Sequence, residues 1–140
     1  MDTTYQALFE FFKAGGMTGS TSKVLAYLTI CEPSVQTATD IESELRLSKG
    51  SVNMALNSLL RAKIIQSRPT SKDGRFLEYE LDVRGWERAI AYRLLSLKTA
   101  VQVADDGLAR APHNKRLLEM HKVYDRFLSQ FNNFTKFYNL

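Results

Sequence analysis

The chain has one cysteine and two histidines in 140 residues, and each scarcity removes a class of protein. A lone Cys31 cannot form an internal disulfide framework or a thiolate zinc site, which agrees with a reducing compartment. His113 and His121 stand eight residues apart with Glu119 near the second, a spacing that matches neither a zinc site nor a catalytic constellation. There is no glycine-rich phosphate loop and no nucleophile elbow, so neither an enzyme nor a cofactor is expected. No apolar run approaches the roughly 18 to 20 residues of a membrane span. Met1-Asp2-Thr3-Thr4-Tyr5 lacks the basic start and apolar stretch of a signal peptide, which predicts a cytoplasmic protein.

With 44% hydrophobic and 24% charged residues, the chain is long enough for one core with some apolar surface left over, and one domain over residues 1–140 is expected. The net charge of +4 is unevenly distributed. Between Arg46 and Arg75 lie Arg46, Lys49, Arg61, Lys63, Arg68, Lys72 and Arg75 against Asp73 alone. Such a block is an electrostatic footprint for phosphates, although a solvated basic face would look the same.

Tyr5, Leu8, Phe9 and Phe12 recur at helical spacing up to Gly15-Gly16, and Val24, Tyr27, Leu28 and Cys31 form one stripe of a second helix over about residues 18–30. Thr37-Ala38-Thr39-Asp40 has the form of a capping box that starts a third. Ser48 is a good N-cap for a fourth, in which Val52, Leu56, Leu59, Leu60 and the stem of Lys63 face the core. At 100° per residue the opposite face is centred on Gly50, Met54, Asn57 and Arg61, with Ser51, Asn53 and Ser58 on its shoulders. Asn53 and Asn57 have the donor and acceptor pair that adenine N6 and N7 require, and Met54 suits a thymine methyl. Gly50 lowers helix propensity by about 1 kcal/mol, and close approach of the backbone to DNA is a reason to tolerate it.

Residues 64–68 and 75–81 then read as two strands joined by Pro69-Thr70-Ser71-Lys72-Asp73-Gly74. Helix, turn, helix and hairpin in this order make a winged helix-turn-helix over residues 17–83, whose second helix enters the major groove while the wing reaches the flanking backbone or minor groove. Lys49, Arg68 and Lys72, with the Thr37 and Ser48 caps, are candidate phosphate contacts. Ser71 lies in the wing turn, and Arg75, steadied by Asp73, is a candidate for a narrow minor groove.

From Arg84 the pattern changes to long helices. Trp86, Ile90, Leu94, Leu97, Val101, Ala104 and Leu108 form one seam, and Leu117, Met120, Tyr124, Phe127, Phe131, Phe134 and Tyr138 form another. Together with Phe9 and its neighbours these leave more apolar surface than the winged helix can cover. Residues 1–14 and 84–140 are therefore expected to pair two copies of the chain, which would set two recognition helices about one DNA turn apart. A membrane-surface role for residues 131–140 is the weaker alternative. Tyr5, Phe12, Tyr27, Trp86 and Tyr92 are candidates to line a pocket for a small-molecule effector, although aromatic residues at helical spacing are more often core. Cys31 is expected to be buried rather than redox-active.

The stretch Thr37 to Leu81, with Leu47-Ser48-Lys49-Gly50-Ser51-Val52 and Asp73-Gly74-Arg75, resembles the MarR superfamily of transcriptional regulators. The start of its recognition helix is similar to the GbsR-like branch. The resemblance implies a mainly α fold with a small β-hairpin wing and long terminal dimerisation helices. It also implies a homodimeric regulator of a pseudo-palindromic operator in double-stranded DNA, with the recognition helix at Ser48 through Ala62 and the wing arginine at Arg75. The competing reading is a winged-helix module that binds another protein, for which a concentrated basic block has no purpose.

Overall fold

A computed structural model describes residues 2–70 and 76–132. Chain contacts divide the molecule into two compact units, Met1–Trp86 and Glu87–Leu140.

The first unit is mainly helical, and its helix ends are set by side chains and glycines rather than by packing alone. In α1 (Thr3–Ala14), Asp2 Oδ1 accepts from the Tyr5 amide at 2.8 Å, and Gly15 closes the other end. Gly16 follows at φ +102°, a conformation that favours glycine. Thr18 caps α2 (Gly19–Ile30) by accepting from the Thr21 amide. Unlike the single stripe expected, α2 buries Thr21, Ser22, Val24, Leu25, Ala26 and Leu28, while Tyr27 is only half-buried. The cause is its central place: α1, α3 (Ala38–Leu45) and α4 (Lys49–Arg61) all pack against it. The largest fully buried side chains are Val24 and Leu25 of α2, Ile41 of α3, and Val52, Leu56 and Leu59 of α4. Burying each contributes about 1.5–3 kcal/mol.

The capping box at α3 is complete. Thr37 Oγ1 accepts from the Asp40 amide at 3.1 Å, and Asp40 Oδ2 accepts from the Thr37 amide at 2.9 Å. The helix stops at Arg46, in the left-handed region at φ +53°. Lys63 does not belong to the core stripe of α4: it lies beyond the helix end at φ +58°, which turns it outward and leaves it exposed.

Strands β2 (Ile65–Pro69) and β3 (Leu77–Leu81) form the expected hairpin, with the second beginning two residues later than the pattern suggests. A third strand, β1 (Gln36–Thr37), pairs with the other edge of β3, giving the antiparallel order β1-β3-β2. Two residues carry no strand periodicity of their own; pairing of Gln36 with Tyr79 and Thr37 with Glu78 makes this strand.

Helix α5 (Gly85–Arg110) begins at the end of the first unit and supplies the long helix of the second. A turn leads to α6 (Lys115–Gln130), whose N-cap Asn114 accepts from the Arg116 and Leu117 amides. Between the two helices His121 Nε2 lies 2.8 Å from Asp105 Oδ1. No described helix is long and apolar enough to cross a membrane.

Candidate nucleic-acid interface

The N-terminus of α4 is organised by Ser48, whose Oγ accepts from the Ser51 amide at 3.1 Å while its hydroxyl donates to Ser51 Oγ at 2.9 Å. Thr37 and Ser48 thus both spend their side-chain oxygens on helix capping. What they leave for a phosphate is the positive end of a helix and its remaining amides. Lys49 is exposed at the first position of α4, and Arg61 is exposed in its last turn.

The face opposite the core is exposed among the described residues. Gly50, Asn53, Met54 and Asn57 are exposed, with Met54 at 75%. Ser51 and Ser58 on the shoulders are half-buried. A Cβ built on Gly50 would meet nothing within 4 Å, so neither packing nor backbone conformation within this chain calls for glycine there. Hydrogen bonds recorded among the described residues include none from the Asn53 and Asn57 amide groups.

Two of the wing's carboxylates were not foreseen as part of the site. The register of β2 against β3 sets Arg68 opposite Glu78 and Gln66 opposite Glu80. Arg68 Nε lies 3.6 Å from Glu78 Oε2, with its side chain 60% exposed. Glu80 accepts from Gln66 Nε2 at 3.5 Å and from the Ser34 hydroxyl at 3.1 Å. Gln66, Arg68, Glu78 and Glu80, with Val35 and Ser67, line a shallow cleft of about 80 Å³. The alternating charges of residues 78–80 were the available signal, but only strand register shows which basic residue they face. Arg68 is thus a cation already held by a carboxylate, and a phosphate must share or displace that partner. Ser71, Lys72 and Arg75, with Asp73 and Gly74, lie outside the described residues.

The aromatic candidates are only partly brought together. Phe12, 6% exposed, stacks on Trp86 with ring centroids 5.6 Å apart and planes 11° from parallel. Tyr5 is half-buried, and burial raises its phenol pKa. The Tyr27 hydroxyl donates to Gln36 Oε1 at 2.8 Å, and Gln36 Nε2 donates to the Pro33 carbonyl. Burial is the main cause of the raised Tyr27 pKa, followed by the nearby Cys31, Glu44 and Asp40. Tyr92 belongs to the second unit and is exposed.

Of the residues assigned to pairing, Phe9 is half-buried in α1 with Lys13 Nζ 5.6 Å from its ring centroid. Leu117 lies against Gly107 across the second unit's helix pair. Tyr124, Phe127 and Phe131 are exposed, and Phe134 lies outside the described residues. Cys31 is buried, and burial chiefly pushes its thiol pKa up, which suppresses the reactive thiolate. Among the described residues, no group of three or more potential ligands is placed to hold a metal ion.

Comparison with known proteins places this geometry. One solved transcriptional regulator is 18% identical, with 97% of this chain and 95% of that chain covered and a TM-score of 0.74. Staphylococcus aureus MepR bound to DNA is 20% identical over 77% of this chain and 86% of its own, with a TM-score of 0.46. The adhesin competence repressor AdcR of Streptococcus pyogenes is 21% identical over 91% and 90%, with a TM-score of 0.45. No curated protein matches the sequence. The model of the MarR family matches residues 15–75, and the helices and three-stranded sheet over and around these residues form a winged helix, the fold shared with that solved transcriptional regulator.

Proposed function

We propose that this protein is a sequence-specific DNA-binding transcriptional regulator, not an enzyme, and that it acts in the cytoplasm as a homodimer on a pseudo-palindromic operator. The observation that carries the proposal is the outer face of α4, where Gly50, Asn53, Met54 and Asn57 are exposed, flanked by exposed Lys49 and Arg61. A protein gains nothing for its own stability from an exposed methionine and two asparagines in mid-helix. A major groove offers such side chains base edges and methyl groups.

In this reading α4 enters the groove, Lys49, Arg61 and Arg68 meet phosphates, and the wing residues Ser71, Lys72 and Arg75 reach the flanking duplex. Pairing through Phe9, Leu117, Tyr124, Phe127, Phe131 and Phe134 would place two recognition helices about 34 Å apart. Occupation of a full DNA turn by the dimer excludes other proteins, hence a repressor. The Ser48-Lys49-Gly50-Ser51-Val52 start of α4 supports placement in the GbsR-like branch, whose recognition helices it resembles. An effector that releases DNA would bind among Tyr5, Phe12, Tyr27 and Trp86 of the first unit. The stacked Phe12 and Trp86 rings would have to part to admit it.

The test is selection of bound duplexes from a random pool, followed by affinity measurement across a salt series. A two-fold symmetric winner is expected, with log affinity falling against log salt with a slope of about −5 if some six phosphates are neutralised. Weak, sequence-independent binding would overturn the proposal.

A further inference from the structure

The outer face of α4 carries a chemical pattern more specific than DNA binding alone. Resting on the regulator reading above, we infer that each operator half-site presents A·T pairs, and not G·C pairs, to the middle of α4, with adenines read by Asn53 and Asn57 and a thymine methyl covered by Met54.

The inference begins with what is missing. Between Gly50 and Ser58 this face has no arginine or lysine, the side chains that pair with guanine O6 and N7, and no carboxylate to accept from cytosine N4. Its only basic residues stand at the two ends, Lys49 in the first turn and Arg61 in the last. Those are positions for phosphates on either side of the groove.

What is present selects the other base pair. A side-chain amide has one donor and one acceptor group, which match N6 and N7 of adenine. Asn53 and Asn57 are exposed and make no recorded bond to the rest of the described chain, so no intramolecular partner must be given up on binding. Four residues of helix rise about 6 Å, close to two base-pair steps. Met54 lies between them in sequence and is 75% exposed. Its thioether end can only gain from an apolar surface, and the C5-methyl of thymine is the apolar group on the major-groove floor. Gly50, one turn before Met54, has open space where a Cβ would be, so the helix can come close enough for these short side chains to reach.

The experiment uses the full chain and the duplex selected from a random pool. Half-site thymidines are replaced by deoxyuridine, which removes the methyl, and half-site adenines by 7-deazaadenine, which removes N7. Binding is measured for the unmodified protein and for Met54→Ala and Asn57→Ala. The selected half-site is expected to carry A·T pairs at its centre. Deoxyuridine at the critical step should weaken binding by the unmodified protein about fourfold, the worth of one buried methyl, and leave Met54→Ala unaffected. At the adenine read by Asn57 the 7-deazaadenine penalty should reach about tenfold and disappear in Asn57→Ala, while the penalty at the adenine read by Asn53 remains. Both replaced side chains are exposed, and unchanged melting temperatures confirm that the variants fold. A symmetric winner with G·C at the half-site centre would overturn the inference while leaving the regulator reading intact. So would the absence of analogue penalties with the unmodified protein, or a penalty that persists at a base whose assigned side chain has been removed. Failure to select any sequence would overturn both.

Discussion

In the first unit, Val24, Leu25, Ile41, Val52, Leu56 and Leu59 are withdrawn from solvent; in the second, the buried apolar side chains among the described residues are those of Ala91 and Ala104. Helix α6 has no buried residue at all, although its apolar residues repeat every three or four positions, and Phe127 is 54% exposed. Periodicity is thus equally clear in both units, but among the described residues only the first buries its large apolar side chains. A winged helix whose capped helices converge on α2 can draw its stability from its own core. A helix pair that leaves Tyr124, Phe127 and Phe131 in water has that stabilisation still to gain, and association is the usual way to gain it.

Truncation separates the two situations most sharply. Leu56→Ala in the first unit should lower unfolding free energy by about 2–5 kcal/mol, measured by denaturant titration and independent of protein concentration. Phe127→Glu combined with Phe131→Glu should act in the opposite manner. Its effect on a dilute, dissociated chain should stay within about 1 kcal/mol, since exposed substitutions rarely do more, while light scattering should report a single-chain mass. A dimer mass that persists in the double variant would remove this face from the proposed interface.

The same chemical change at two glycines gives a narrower comparison. A Cβ on Gly85 would lie 2.7 Å from both the Cα and the carbonyl oxygen of Ile64. That backbone is held, because Ile64 O accepts from the Asp82 amide at 2.9 Å and Asp82 O accepts from the Gly85 amide at 2.7 Å. Gly85→Ala should therefore cost about 1–3 kcal/mol, as overpacking against rigid neighbours does. A Cβ on Gly107 would meet Leu117 Cδ1 at 2.9 Å, the end of a side chain that can turn aside. Replacing a helix-interior glycine also recovers about 1 kcal/mol of propensity. Gly107→Ala should thus change the melting temperature little or raise it. Equal losses at the two positions would show that the helix pair of the second unit is packed as rigidly as the winged helix.

How far each feature was legible in the sequence depends on how local its cause is. The capping box at Thr37 and Asp40, the Ser48 cap and the Gly15-Gly16 stop rest on contacts within about four residues, and all occur as read. The outward face of α4 follows from helix geometry alone, and Gly50, Met54, Asn57 and Arg61 are indeed exposed. Strand β1 and the broad buried face of α2 depend on elements distant in sequence, so no local pattern announces them. Arg68 illustrates the same limit at the candidate site: its place in a basic block could be counted, but Glu78, ten residues on, becomes its neighbour only through strand register.

Ion pairs give the smallest of these effects, and here stability and binding should part company. Arg68 and Glu78 are 3.6 Å apart with side chains 60% and 30% exposed, so water screens most of their attraction and such pairs contribute about 0–1 kcal/mol. Glu78→Gln keeps the shape of the side chain and removes its charge, and a melting curve close to that of the unmodified protein is expected. For a phosphate approaching Arg68 the change is larger, because a competing carboxylate has gone and a repelling negative charge with it. Affinity for the selected duplex should rise by about twofold to fivefold at low salt, with the gain shrinking as salt screens the site. If affinity is unchanged at every salt concentration, Arg68 is not among the residues that meet DNA, and its role is to join β2 to β3.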